Sequence, residues 1–376
     1  MSDLSDLHDV VVVGVGAMGS SAAWALSKAG HDVVAVEQFP FGHDRGSSHG
    51  ASRIYRVGTE QTHYLDLAQR ARVLWGELEA ATGEQLLTVQ GAVEHGVTQE
   101  QVDAFVEHLR VRDIEHEVLD PSDAADRWPG MRFDGPVLHQ AGGAIVHADR
   151  AVAGLQALAR AQGATLLEDT RVGRIEVAGA GVVVHAGDHT LRARHAVVTV
   201  GSWAPGLLGD LVPLPRIRVT QEQPRFFRPF EDAAGWPCFV HWRHEPGEWG
   251  RIETYGLWEQ GSGYKVGLHA AGPEVDPDAR DFLTEPARDA VLTDYVRTWF
   301  PGLDTDRSTA ISCLYDNTDN GDFVIDRVGP VTFATGFNGE GFKFVPVVGE
   351  LVRDLVRGDA DALPLFSVAR HRTWTP

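Results

Sequence analysis

Two kinds of hydrophobic pattern alternate along this chain. His8 to Val13 is an unbroken valine-rich run, the mark of a strand buried on both faces, and it leads straight into Gly14-Val-Gly16-Ala-Met-Gly19. An alanine-rich amphipathic stretch follows to Gly30, then a second apolar run from Asp32 to Val36 that closes on Glu37. The order predicts strand, glycine turn, helix, strand, acid. Thr62 to Ala81 carries a helical stripe of Leu65, Ala68, Val73, Leu74 and Leu78. Gln99 to Arg112 and Arg150 to Gln162 also read as helices, and Val137 to Val146 as extended chain.

Thr165 to Val200 breaks into short alternating segments separated by Gly, Asp and His, which predicts an antiparallel meander ending in a buried strand, Ala196 to Val200. Arg216 to His269 is rich in aromatic and β-forming residues and reads as several longer strands. Asp276 to Phe300 reads as a helix that Pro286 should interrupt. Strands are expected at Ala310 to Tyr315, Asp322 to Ile325 and Val331 to Thr335, before a glycine loop that feeds a helix from Val345 to Arg357.

Nucleotide-type elements thus fall at both ends and in the middle, with antiparallel, aromatic-rich segments between them. The expected class is α/β. Residues 1–82, 146–214 and 310–376 would form a discontinuous Rossmann-like nucleotide-binding domain, and residues 83–145 and 215–309 a substrate domain on a mixed, largely antiparallel β-sheet.

Composition narrows the function. A length of 376 residues allows two lobes and a core large enough to enclose a cofactor. A formal charge of -20 argues against nucleic acid or an anionic membrane as the main partner. The first residues lack a basic leader and no segment approaches a membrane span. Two cysteines, Cys238 and Cys313, make neither a disulfide framework nor a zinc set, so a reducing, cytoplasmic compartment is expected.

The chemistry begins with Gly14, Gly16 and Gly19. Such glycines let backbone approach a pyrophosphate at a helix N-terminus, and Glu37, 23 residues after Gly14, is placed to accept from a ribose hydroxyl. This pattern leaves NAD and FAD both open. Lysine is scarce: Lys28, Lys265 and Lys343 stand against thirty arginines, and the last two sit in the glycine-flanked aromatic motifs Gly-Tyr-Lys265-Val-Gly and Gly-Phe-Lys343-Phe. Lysine carries a compact charge whose pKa shifts readily on burial, where arginine stays charged.

Four segments carry a resemblance: Gly46-Ser-Ser-His49-Gly-Ala-Ser-Arg53-Ile-Tyr-Arg56, Gly263-Tyr-Lys265-Val-Gly-Leu-His269, Cys313-Leu-Tyr315-Asp-Asn-Thr-Asp-Asn-Gly-Asp322, and Gly336-Phe-Asn-Gly339-Glu340-Gly341-Phe-Lys343-Phe. Across them the chain resembles the monomeric sarcosine oxidase and N-methyltryptophan oxidase family of flavin amine oxidases. The resemblance implies FAD, bound by the Rossmann-like domain, and oxidation of a secondary amino acid to an imine with dioxygen reduced to hydrogen peroxide. It implies a thioether from Cys313 to a flavin methyl group, Arg56 and Lys343 as partners of the substrate carboxylate, and Lys265 as the group that serves dioxygen. His269 resembles the family's active-site histidine, and His49 and Arg53 resemble positions against the flavin. Tyr255 and Tyr315 look like pocket-lining aromatics, and Gly339, Glu340, Gly341 and Lys343 form the late glycine turn whose helix N-terminus offers amides and partial positive charge. A monomer is expected.

The chain also departs from the family. Ser48 stands where relatives often have a second histidine, Glu340 stands where sarcosine oxidases have histidine, and the loop Val57 to His63 is shorter and lacks their tyrosine. Substrate identity is the casualty: a cyclic imino acid oxidase of the pipecolate or proline type, or a flavin amine dehydrogenase with another acceptor, are the alternatives. A nicotinamide dehydrogenase would share the first fingerprint but has no use for Cys313 or the late glycine turn. A flavoprotein module without turnover would have no use for Lys265, His269, Arg56 and Lys343.

Overall fold

A computed structural model describes residues 6–58, 62–247 and 250–373, and for residues 243–247, 250–252 and 373 the backbone alone. The departing loop at 57–63 therefore falls partly outside the described residues. Strand Leu7–Val13 lies at the centre of a parallel set, flanked by Val33–Val36 on one side and the C-terminal half of His189–Val198 on the other. Thr165–Leu167 and Val331–Thr335 extend the set outward, so five parallel strands share one direction. Val10 to Val13 are at most 2% exposed, which is why this strand reads as a continuous apolar run. Helices Ala17–Lys28, Thr62–Thr82, Ala148–Ala161 and Val345–Arg357 pack into the same apolar core. Lys28 ends the first of them on the surface, 4.8 Å from the Trp24 ring, and takes no part in the site.

The second lobe is an eight-stranded sheet in the order 303–310, 225–229, 263–268, 250–259, 238–247, 92–95, 137–140 and 117–119. Every adjacent pair is antiparallel except Cys238–Gly247 with Ala92–His95. Its apolar side, with Phe227, Phe239 and Tyr264, packs against helix Pro286–Trp299 and its C-cap residue Phe300. Two smaller sheets join the lobes: Ser52–Tyr55 with Ala144–His147 and Leu87–Val89, and Ile217–Glu222 with Cys313–Thr318. The architecture is therefore a Rossmann-like α/β unit assembled from distant segments, plus a mixed, largely antiparallel sheet.

Several local expectations change. The helix expected from Asp276 begins only at Pro286, because proline suits a first helical position, where its missing N–H has no intrahelical partner to lose. The strand expected from Ala310 to Tyr315 is two strands, Leu303–Ala310 and Cys313–Thr318, that belong to different sheets. Thr165–Leu167 is not part of a meander but pairs in parallel with Val33–Val36, and only 172–198 forms the antiparallel hairpins. The extended region 137–146 is broken by a glycine turn into Val137–Gln140 and Ala144–His147. The helix Val345–Arg357 is as expected, with a 3-10 turn, Gly341–Phe344, before it.

Candidate active site

The carboxyl ends of the parallel strands and one face of the large sheet enclose a cavity of about 970 Å³. Alternation along paired strands builds one wall. The register sets Glu259 opposite Gly263, Leu257 opposite Lys265 and Tyr255 opposite Gly267, and His269 N donates to Glu253 O at 2.8 Å. Residues two apart in a strand share a face, so Glu253, Tyr255, Leu257, Glu259, Lys265 and His269 all stand on the same side. That side faces the cavity.

The nucleotide end follows from close packing. Gly19 does not line the cavity: a Cβ there would lie 1.8 Å from Gly14 O, so its lack of a side chain lets the first helix sit on the first turn. Gly14 and Gly16 do line it, as does Glu37, whose Oε2 accepts from Val15 N at 2.8 Å and whose Oε1 accepts from Phe39 N at 3.2 Å. The glycine turn is thus tied to the acid at the end of the second strand. A helix N-terminus, bare backbone and a buried acid at one end of a cavity this large fit a dinucleotide such as FAD, with room beyond it for a small substrate.

Further in, strand Ser52–Tyr55 brings up the basic motif. Arg53 donates to the carbonyls of Ser47, His49 and Ser52 at 2.7–2.8 Å, and its guanidinium lies 5.4 Å from the Phe342 ring. His49 Nδ1 is 2.8 Å from Gly46 O, and burial, with Arg53 second, pulls its imidazole down to about 4. Lys265 is buried and donates to Ser52 O at 2.8 Å and Ser52 Oγ at 2.9 Å; burial pulls it down to about 8, Arg53 adding to this and Glu259 opposing it. Cys313, half-buried on the cavity wall, has its thiol pushed up to about 11 by burial, against the pull of Arg53, Lys265 and Arg280. Cys238 lies in the core, its Sγ 3.7 Å from Ala144 O.

At the far end stand the two groups expected to hold a carboxylate. Arg56 donates to Glu94 Oε1 at 2.8 Å and to Gly58 O, and Trp242 donates to Glu94 Oε2 at 3.0 Å. Glu94 was not among the expected residues. Lys343 is buried with its Nζ 5.0 Å from the Phe344 ring, its carbonyl accepts from Trp75 Nε1 at 2.9 Å, and burial, then Arg56, pulls its ammonium down to about 8. Glu340 opens onto the same space. The side chain is exposed to the cavity; desolvation there raises its carboxyl, but Lys343, His269 and Arg56 outweigh this and hold it below the ordinary range. A carboxylate oxygen of Glu253, a ring nitrogen of His269 and a carboxylate oxygen of Glu340 lie within 4.8 Å of one another, and burial keeps the His269 imidazole below its usual value.

The late glycine turn is latched by residues that its motif did not single out for a role. The buried Asp316 carboxylate accepts from Gly336 N at 2.7 Å and Thr335 Oγ1 at 3.1 Å, and Asn338 Oδ1 accepts from Thr318 N at 2.8 Å. Gly339, at φ +75°, lies against Tyr315, where a Cβ would come 2.2 Å from the ring. Tyr315 in turn hydrogen-bonds Tyr255 and stands 5.4 Å from the His269 ring, centroid to centroid. All the expected site residues except Gly19 therefore line one cavity.

The model of the "FAD dependent oxidoreductase" family matches residues 9–355. A "Monomeric sarcosine oxidase" of Streptomyces avermitilis is 34% identical over 96% of this chain and 97% of its own length. An "N-methyl-L-tryptophan oxidase" of Salmonella arizonae is 28% identical over 97% and 98%. Among solved structures, the open form of NikD, "an unusual amino acid oxidase essential for nikkomycin biosynthesis", superposes with a TM-score of 0.85 at 24% identity, covering 96% of each chain. That last likeness concerns the fold.

Proposed function

The chain belongs to the FAD-dependent oxidoreductase family, within its group of sarcosine and N-methyltryptophan oxidases, and on that premise we propose that it oxidises a secondary, N-methyl amino acid. The product would be an imine, then aldehyde plus amine, with hydrogen peroxide formed from dioxygen. The observation that carries this reading is that one cavity is lined by Lys265 and Cys313 together with Arg56, Lys343 and His269.

Bound FAD supplies the two-electron chemistry. Gly14, Gly16 and the first helix would hold its pyrophosphate, Glu37 its ribose, and His49, Arg53 and the 339–343 turn its flavin end. Cys313, on the cavity wall, would hold the flavin covalently through a thioether to a ring methyl group. Arg56 and Lys343 take the substrate carboxylate with charge and aimed donors. His269, neutral at physiological pH, accepts a hydrogen bond from the substrate amine and orients it. Tyr255 and Tyr315 close the space around the reacting carbon and exclude water. The Lys265 ammonium stabilises negative charge on dioxygen as it is reduced.

The cofactor would be held by residues 1–82, 146–214 and 310–376 and the substrate by 83–145 and 215–309, in a cytoplasmic monomer. No helix among the described residues is long and apolar enough to cross a membrane. Anaerobic addition of N-methyl amino acids to the yellow protein tests the reading. Bleaching of the flavin by N-methyl but not by primary amino acids is expected, and a spectrum indifferent to every secondary amine would reject it.

A further inference from the structure

Beyond the residues that face the cofactor directly, we infer that Glu259 and Ser52 are positioning residues that set both the charge and the aim of the Lys265 ammonium. The inference rests on the reading of Lys265 as the group that serves dioxygen.

Three contacts define the device. Ser52 Oγ donates to Glu259 Oε2 at 2.5 Å, which commits the hydroxyl proton to the carboxylate and leaves the oxygen's lone pairs for Lys265. Lys265 Nζ then donates to that same oxygen at 2.9 Å and to the Ser52 carbonyl at 2.8 Å. An ammonium has three N–H donors. Two are spent on Ser52, and the third is left for the cavity that Lys265 lines. Without the carboxylate, the serine hydroxyl is free to rotate and offer its proton elsewhere, and the aim of the ammonium is lost.

The carboxylate also sets the charge. Glu259 Oε2 lies 3.9 Å from Lys265 Nζ, and the two side chains are only 11% and 5% exposed, so solvent screens the pair weakly. The other groups that act on the lysine are Arg53, which opposes its charge, Asp149, which favours it, and the thiols of Cys313 and Cys238; the Phe226 ring covers it at 5.6 Å. Burial and Arg53 both favour loss of the proton. Glu259 is the largest influence against them. Removing its charge lets the lysine deprotonate at lower pH, where it no longer stabilises an anion.

The scarcity of lysine makes the test direct. Holoenzyme carrying ¹³C at lysine Cε shows one signal each for Lys28, Lys265 and Lys343, assigned by substituting each in turn. Lys265 is expected to titrate at about 8 in the native chain and at least a unit lower in Glu259→Gln, about tenfold in its protonation constant, with the other two signals unmoved. After reduction by dithionite, reoxidation by dioxygen in Glu259→Gln should fall off at a correspondingly lower pH than in the native enzyme. An unchanged Lys265 midpoint in Glu259→Gln overturns the inference. If that variant fails to fold, Ser52→Ala, which removes the bridging oxygen and keeps both charges, is expected to lower the midpoint too, and an unmoved midpoint there is equally contrary. Lys265→Met separates the two claims: if it reoxidises as fast as the native enzyme, the dioxygen reading falls while the titration result for Glu259 stands.

Discussion

Arg56 and Glu94 form a buried ion pair, 2.8 Å between Nη1 and Oε1, at the end of the cavity where a substrate carboxylate is expected. The pair holds a permanent cation in place where an unpaired one would be costly to bury. In the proposed carboxylate role, Arg56 would meet the substrate with part of its charge already answered, and Lys343 would supply the less committed charge.

Breaking that pair from one side should be severe. Glu94→Leu or Arg56→Met alone is expected to cost about 3–5 kcal/mol in urea unfolding, because each leaves its partner's charge buried and uncompensated. The double variant should recover most of the loss. Its KM for the amine should nevertheless stay at least tenfold raised, since the carboxylate has lost a partner. A double variant as unstable as the singles, or with native KM, would contradict the assignment.

Lys343 gives a pH dependence with a definite sign. Its ammonium is pulled down to about 8, so it is charged below that pH and neutral above it. Binding of a simple carboxylate such as acetate, followed by the flavin spectrum, should be level below pH 8 and weaken about tenfold per unit above it. Lys343→Arg, which stays charged, should flatten the profile. A native profile that is level through pH 10 would remove Lys343 from the carboxylate site.

Gly339 is the position in the late turn least able to accept a side chain. Its φ of +75° and the 2.2 Å approach of a Cβ to the Tyr315 ring together predict that Gly339→Ala costs about 2–5 kcal/mol, from left-handed strain and overpacking. Displacement of Tyr315 should also lower turnover at saturating amine. Native stability and turnover in this variant would show that the turn does not depend on that contact.

Much of this site was legible in the sequence, and the reasons are local. Glycine spacing, the acid after the second strand and the order of the basic, lysine, cysteine and glycine motifs are each read within a few residues. What escaped depends on pairing across long separations: Glu94 meets Arg56 across 38 residues, and Ser52 meets Glu259 across 207. Register decides such contacts. Glu259 shares a face with Lys265 only because Leu257 pairs with Lys265, and no property of the segment 250–259 taken alone says so. Asp316 and Asn338 lie inside the cysteine and late glycine motifs, but their work as latches needs the strand and the turn to be brought together. The helix start at Pro286 differs for another reason: the same proline that would interrupt a helix interior is well suited to its first position.

Cys313 offers a test of attachment independent of turnover. Acid precipitation of the native protein should carry the yellow colour into the pellet, and precipitation of Cys313→Ser should release it to the supernatant. Colour released from both would refute the thioether.

In the proposed reaction a secondary amino acid delivers its electrons through this cavity to dioxygen. Peroxide release in air, measured against imine or aldehyde formed, across sarcosine, N-methyltryptophan, pipecolate, proline and primary amino acids tests it most directly. Peroxide equimolar with product from at least one N-methyl amino acid, and none from the primary ones, is the predicted result. Oxidation of the amine without peroxide, or no oxidation of any secondary amine by the yellow protein, would contradict it.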